Sequence, residues 1–331
     1  MSKIYSPVLK TQPQRQNTVA AETQQDLLGT SISVRFLDSL KSNGKHKYAR
    51  YRGLPLRYAG GKSLAVGYIV EQLPDRLEKL VSPFMGGGAV EIACAKELDI
   101  QVCAYDIFDI LVNYWQVQLS RGSTLAEHLE QWQPTKTQYA EIKTRLKAHW
   151  NGESLISDPL ELAAHYWFNH NLSYGPGFLG WMSKIYESPE RYSRTLQTVR
   201  NFRCPNVSVH QGTFEDTLPM HAEDFLYCAP PYYLDEGEMF KGIYPQRNFP
   251  VHHKGFNHEL LRDLLHQHKA GFVLSYNDCQ TIRQWYADFR ILEVKWRYTL
   301  GQGETRIGKN RIENGTGHVK KSHELLIVKD A

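Results

Sequence analysis

The stretch from Lys79 to Asp106 leaves this chain few folds to choose from. Lys79–Phe84, KLVSPF, has the apolar texture of a strand; Gly86, Gly87 and Gly88 follow, AVEIACAKEL continues as a helical run, and QVCAYD is a second strand ending on Asp106. A helix returning the chain between two strands sets them parallel in one sheet. The glycines allow a tight turn and close approach of backbone to a ligand, and Asp106, 18 residues past Gly88, stands at the strand tip where a carboxylate takes ribose hydroxyls. A glycine turn alone is often only structural, but its spacing to Asp106 points to an adenosine-containing ligand.

Further strand patterns extend this unit: VSVHQGT (207–213), DFLYC (224–228), GFVLSYN (271–277), ILEVKWRY (291–298) and HELLIVKD (323–330). In FNHELLRDLLHQH, from Phe256, an Asn is suited to cap a crossover helix. The alternation predicts an α/β fold, a mostly parallel sheet covered on both faces, with an antiparallel pair at its C-terminal edge. Residues 121–204 break the alternation. There Leu125, Leu129, Trp132, Tyr139, Ile142 and Leu146 recur at helical spacing and NLSYGPGFLGW forms a glycine- and aromatic-rich loop, so a mostly helical insertion divides the α/β domain into 51–120 and 205–331. Residues 1–50 form an arm, polar at first and basic later.

Composition narrows the partners. In 331 residues the net charge is only +4, yet basic residues concentrate at 35–62 and 297–321, interleaved with Tyr and Gly, a pattern that suits a polyanion or, equally, a pair of solvated loops. The five cysteines have no C-x-x-C spacing and the histidines none for a metal, so neither a disulfide framework nor a metal site is expected. With no apolar run long enough for a membrane span and a polar start, MSKIYSPVLKTQPQRQ, the expected compartment is the cytoplasm.

Two further motifs carry chemistry. RYAGGKSL (57–64) is not a P-loop, because Leu56 stands where that motif needs glycine and no strand leads into it; it leaves Tyr58 and Lys62 as ligand contacts or its glycines as a plain turn into a helix. YCAPPYY (227–233) lies at a strand end. Its consecutive prolines fix a rigid extended turn, so Pro230 offers a carbonyl and Tyr232 an aromatic face, although a bare Pro-Pro-Tyr would more often be a packed turn.

Together these blocks resemble the Dam-like N6-adenine-specific DNA methyltransferases, from about Leu56 to Val328. YAGGK is similar to that family's first cofactor motif, PFMGGG to F-x-G-x-G, YDIFD to the acidic ribose motif and APPY to the catalytic D-P-P-Y; FNHELL, LSYND and SHELLI resemble its flanking stretches. The resemblance implies a Rossmann-like S-adenosylmethionine-dependent methyltransferase fold with the target-recognition domain inserted at 121–204. It implies S-adenosyl-L-methionine as cofactor, S-adenosyl-L-homocysteine as product, no metal, and double-stranded DNA as partner, in a bacterial or phage setting where a restriction endonuclease partner is not required. Carried over by position, Tyr58, Lys62, Phe84, Gly86, Gly88, Asp106, Phe214 and residue 229 meet the cofactor, and residue 229, Pro230, Pro231 and Tyr232 do the chemistry on a flipped adenine. Asn171, Ser173, Tyr174 and Lys184 in the insertion, and Arg306, Lys309, Arg311, Lys320 and Lys321 beyond it, are the expected DNA contacts.

The sequence departs from the family at its most sensitive position. Ala229 stands where the motif has Asp, and a methyl group neither accepts a hydrogen bond nor carries charge. Methyl transfer is expected to be lost or strongly impaired, by at least ~10²- to 10³-fold by analogy with losing one preorganised acceptor. The acids close by in sequence, Asp224, Asp235 and Glu236, do not occupy the rigid position before the prolines. An N4-cytosine methyltransferase and a non-catalytic DNA-binding pseudoenzyme are the alternatives, and retention of every other motif favours a substituted enzyme over a drifted one.

Overall fold

The computed structural model describes residues 31–44, 46–175, 177–233, 255–296 and 322–331. Seven strands form one sheet: β1 (Lys79–Ser82), β2 (Gln101–Asp106), β3 (Val207–Gln211), β4 (Phe225–Cys228), β5 (Phe272–Asn277), β6 (Arg290–Trp296) and β7 (Ser322–Lys329), in the order β3-β2-β1-β4-β5-β7-β6. The first five in that order are mutually parallel, and β7 inserts antiparallel between β5 and β6. The expected sheet is present, its antiparallel pair made by the later strand taking the inner place. β1 stops at Ser82, two residues short of the sequence expectation, because Pro83 has no N–H for the ladder.

Strand order reverses between β1 and β4, which lie side by side although much of the chain separates them. At such a switch point the connections leave toward opposite sides and open a crevice at the strands' carboxyl ends. The helices along the chain are α1 (Ile32–Leu40), α2 (Val66–Val70), α3 (Ala89–Glu97), α4 (Asp109–Glu130), α5 (Lys136–Trp150), α6 (Pro159–Leu172), α7 (Pro189–Asn201), α8 (Phe214–Met220), α9 (His258–Gln267) and α10 (Gln280–Trp285). Side-chain caps start several of them: Thr135 for α5, Asp158 for α6, Ser188 for α7, and Asn257 for α9, where its side chain accepts from the Leu260 N–H. In α6 and α7 a proline at the first turn adds a φ already suited to the helix.

Successive residues of β4 face opposite sides, as a pleated strand requires. Phe225 and Tyr227 join the core formed with α1–α7, whereas Leu226 and Cys228 join that formed with α8–α10. The helices of the 121–204 segment share the first core with the sheet; α4 crosses the segment's start, bending at Arg121, whose φ of −137° and ψ of 34° are non-helical. Among the described residues no helix is long and apolar enough to cross a membrane, and no group of three metal-ligating side chains forms.

Candidate active site

The glycine turn between β1 and α3 is held from three sides. Gly86 (φ 47°) and Gly88 (φ 64°) adopt left-handed conformations that a side chain would strain. The Gly86 N–H donates to Asp106 Oδ2 at 2.9 Å, the Phe108 N–H donates to Oδ1 at 3.0 Å, and Trp115 Nε1–H donates to the Gly86 carbonyl at 3.0 Å. Burial raises the Asp106 carboxyl above its ordinary value, opposed by these backbone N–H groups. From above, Tyr58 lies on the turn so closely that a Cβ at Gly87 would come 2.5 Å from the Tyr58 Cβ. The Tyr58 ring stacks on His170 of α6 (centroids 5.5 Å apart, 25° between planes), which stacks in turn on Tyr166.

Lys62 joins the same region to the proline turn. Its Nζ donates to the Tyr232 hydroxyl at 2.9 Å and to the Gly60 carbonyl at 3.4 Å; the Tyr232 hydroxyl donates to Glu324 on β7, whose other oxygen accepts from Ser275 Oγ of β5 at 3.3 Å. Burial lowers the Lys62 pKa, and the charges of Glu324 and Glu91 oppose that fall. Phe84, Phe214 and Phe256 form an aromatic wall with centroids 4.9–5.9 Å apart.

These pieces enclose one cavity of about 190 Å³, whose lining includes Tyr58, Lys62, Phe84, Gly86, Gly88, Asp106 and Phe214 together with the run Ala229, Pro230, Pro231 and Tyr232. Every residue carried over for cofactor and chemistry therefore lies around a single space. Four residues not singled out from sequence share it or support it: Phe256 in the aromatic wall, Glu324 behind Tyr232, and two at the tips of β1 and β4. Glu91, in the first turn of α3, accepts from Ser82 Oγ at 2.6 Å and is buried, which pushes its carboxyl up to about 7 against the pull of that hydrogen bond. The buried Tyr227 hydroxyl has no hydrogen-bond partner among the described residues. The sequence signal for Glu91 and Glu324 was available: each is an acid within an otherwise apolar buried run, AVEIACA and ELLIV.

The DNA candidates are dispersed. Asn171 and Ser173 face inward. Asn171 Oδ1 accepts from the Arg57 N–H at 2.7 Å and its Nδ2 donates to the Pro55 carbonyl at 3.2 Å, while Ser173 Oγ donates to the His170 carbonyl and accepts from the Gly177 N–H, both at 2.8 Å. Their polar atoms are thus spent inside the fold, and the expectation that they reach bases is corrected. Tyr174 is 62% exposed and Lys184 is exposed in a short 3₁₀ turn (Lys184–Tyr186); the Tyr174 N–H donates to the carbonyl of Trp181, itself 71% exposed. Arg306, Lys309, Arg311, Lys320 and Lys321 lie outside the described residues. Of the earlier basic stretch, Lys47 pairs with Glu71, Arg50 donates to Ser63 and Arg57 lies 4.4 Å over the Tyr186 ring, so these three are engaged within the fold.

A seven-stranded sheet in this order, with a glycine turn after β1 facing a Pro-Pro-Tyr turn after β4, defines a Rossmann-like methyltransferase. The chain belongs to the D12 class N6 adenine-specific DNA methyltransferases, whose family pattern matches residues 58–300. It is similar to the Type II methyltransferase M.FokI of Planomicrobium okeanokoites, 23% identical over 96% of this chain and 52% of that protein. It is similar also to modification methylase StsI of Streptococcus sanguinis (22%, 88% of this chain, 44% of that protein) and to Type II methyltransferase M1.LlaDCHI of Lactococcus lactis subsp. cremoris (23%, 76% and 91%). The chain therefore spans about half the length of M.FokI and of StsI.

Proposed function

We propose that this chain methylates N6 of adenine at specific sites in double-stranded DNA, using S-adenosyl-L-methionine, and that Ala229 strongly impairs it. The observation that carries the reading is the meeting, around one cavity, of the glycine turn at the tip of β1 with the Ala229-Pro230-Pro231-Tyr232 turn at the tip of β4. The cavity fits the cofactor's chemistry: an aromatic wall suits a purine and the Gly86–Asp106 corner suits ribose hydroxyls.

S-adenosyl-L-methionine supplies, when bound, an electrophilic methyl group on a sulfonium. Phe84, Phe214 and Phe256 hold the purine, Asp106 the ribose, and Tyr58 and Lys62 close the space around the amino-acid end. On the other side Tyr232 stacks against a flipped adenine and the Pro230 carbonyl accepts a hydrogen bond from its amine. That amine, conjugated with the ring, is a poor nucleophile until acceptors draw its protons and turn its lone pair toward the methyl carbon. Ala229 supplies no acceptor. Tyr174, Lys184 and the basic residues Arg306, Lys309, Arg311, Lys320 and Lys321 contact DNA from the recognition side. The setting is a bacterial or phage-infected cytoplasm, and the names of the relatives as modification methylases support a role beside, though not dependent on, a restriction endonuclease.

The test is methyl transfer from labelled cofactor to unmethylated DNA by the native chain and by Ala229→Asp, with the product nucleoside identified by mass. N6-methyladenine formed ~10²- to 10³-fold faster by the variant is the expected result. N4-methylcytosine would reassign the base, and absence of transfer by both proteins would replace an enzyme by a DNA-binding pseudoenzyme.

A further inference from the structure

We propose that Glu91 is the carboxylate on which the residual methyl transfer of this chain depends, accepting a hydrogen bond from the target amine in place of the missing acid at 229. The inference rests on the methyltransferase reading above. β1 and β4 are paired with Leu80 opposite Phe225 and Val81 opposite Leu226, which carries Ser82 alongside Tyr227 at the strand tips. Phe225, Tyr227 and Ala229 belong to the core on the sheet face that α3 covers. Glu91 hangs from the first turn of α3 onto that same face, tied to Ser82, and lines the cavity with Ala229, Pro230 and Tyr232. Its charge acts on Lys62, Tyr227 and Cys228, the residue before Ala229. Tyr227 lines the same cavity, and its buried hydroxyl has no hydrogen-bond partner among the described residues.

Other described acids are already engaged or placed elsewhere. Asp224 precedes β4 at its far end and binds Lys79 and His221. Asp106 accepts from the Gly86 and Phe108 N–H groups and stands at the ribose position, and Glu324 accepts from Tyr232 and Ser275. Glu215 also lines the cavity, but from α8 beside Phe214, whose core lies on the opposite face of the sheet from Ala229. Glu91 accepts from Ser82 Oγ and from the backbone N–H groups of Val90 and Glu91 at the start of α3.

In the step itself the N6 lone pair forms a bond to the methyl carbon while the carbon–sulfur bond breaks, its electron pair remaining on sulfur, and the surplus N6 proton passes to the Glu91 carboxylate. The charged and titratable groups around Glu91 are Lys62, Asp106, Cys94, Tyr227 and Cys228. Burial raises the Asp106 carboxyl as well as that of Glu91 and lowers Lys62, while the thiols and phenol titrate far above neutrality, so an inflection near 7 in the rate is assigned to Glu91 by its loss in Glu91→Gln.

Single-turnover transfer is measured across pH for the native chain, Glu91→Gln, Ala229→Asp and the double variant, with cofactor affinity measured separately by calorimetry. Glu91→Gln should slow the native chain by ~10²-fold while changing cofactor affinity less than about threefold, and should cost Ala229→Asp little. The native rate should climb with pH through about 7, an inflection absent from Ala229→Asp. Equal losses from Glu91→Gln in both backgrounds, or a matching loss of cofactor affinity, would overturn the proposal by making Glu91 structural or a cofactor ligand. If Glu91→Gln fails to fold, the native pH profile decides alone, and a flat one refutes it. No transfer by the native chain with transfer by Ala229→Asp refutes Glu91 but leaves the methyltransferase reading intact; no transfer by any protein defeats both.

Discussion

A single methyl at Gly87 should report how tightly the cofactor turn is closed. The Gly87→Ala Cβ would meet the Tyr58 Cβ at 2.5 Å, beside a ring already pinned by His170, so the turn must shift. Loss of about 1–3 kcal/mol, read by denaturant melting, and weaker cofactor binding are expected. Glu91 has the opposite signature. Burial raises its carboxyl from an ordinary 4.5 to about 7, so folding favours the protonated form; that contribution is complete below 4.5 and is lost as pH rises through 7. Relative to Glu91→Gln, the native apoprotein should therefore lose about 3 kcal/mol between pH 4.5 and 8, measured by denaturant unfolding at both pH values. Residues at a motif's own positions were legible in sequence because turn chemistry restricts what can stand there. Glu91 was visible only as an acid within an apolar run; its role was not, since that comes from Ser82, nine residues away and brought beneath it only by the strand-to-helix turn.

At the scale of elements, helix starts were the most legible feature, because a cap satisfies backbone donors within three residues of itself. Asn257 illustrates this, its side chain accepting from Leu260. The end of α6 was not legible. A polar Asn171-x-Ser173 before a glycine-rich loop looks the same whether it faces solvent or Arg57, and Arg57 lies 114 residues earlier. The distinction is measurable: Asn171→Ala orphans the Arg57 N–H, while the Pro55 carbonyl keeps the Trp167 indole N–H, and the loss should cost about 1–3 kcal/mol of stability. DNA affinity should stay as in the native chain, whereas loss of a direct contact to base or phosphate would weaken it.

Across the whole molecule, Tyr174, Trp181 and Ile185 leave large apolar surface exposed along the hairpin and 3₁₀ turn that end the insertion's glycine-rich loop. Trp181→Ala should leave the melting temperature unchanged and weaken DNA binding by about tenfold, the effect of losing one aromatic contact with bases. An unchanged affinity would move the recognition surface elsewhere. The sheet's parallel half was plain from strand–helix alternation, while the inner position of β7 was not, because nothing local in an apolar strand states which neighbour it will separate. That position gives the site a place in time. Among the described strands β6 pairs only with β7, and Tyr232 can donate to Glu324 only once β7 is in its slot. On the ribosome, strands β1 to β5 are made well before residues 322–329, so a nascent chain can carry a finished glycine turn and proline turn while its tyrosine still lacks the carboxylate that holds it. Seating of the Tyr232 hydroxyl on Glu324 therefore waits until the strand from 322 to 329 has been translated and docked.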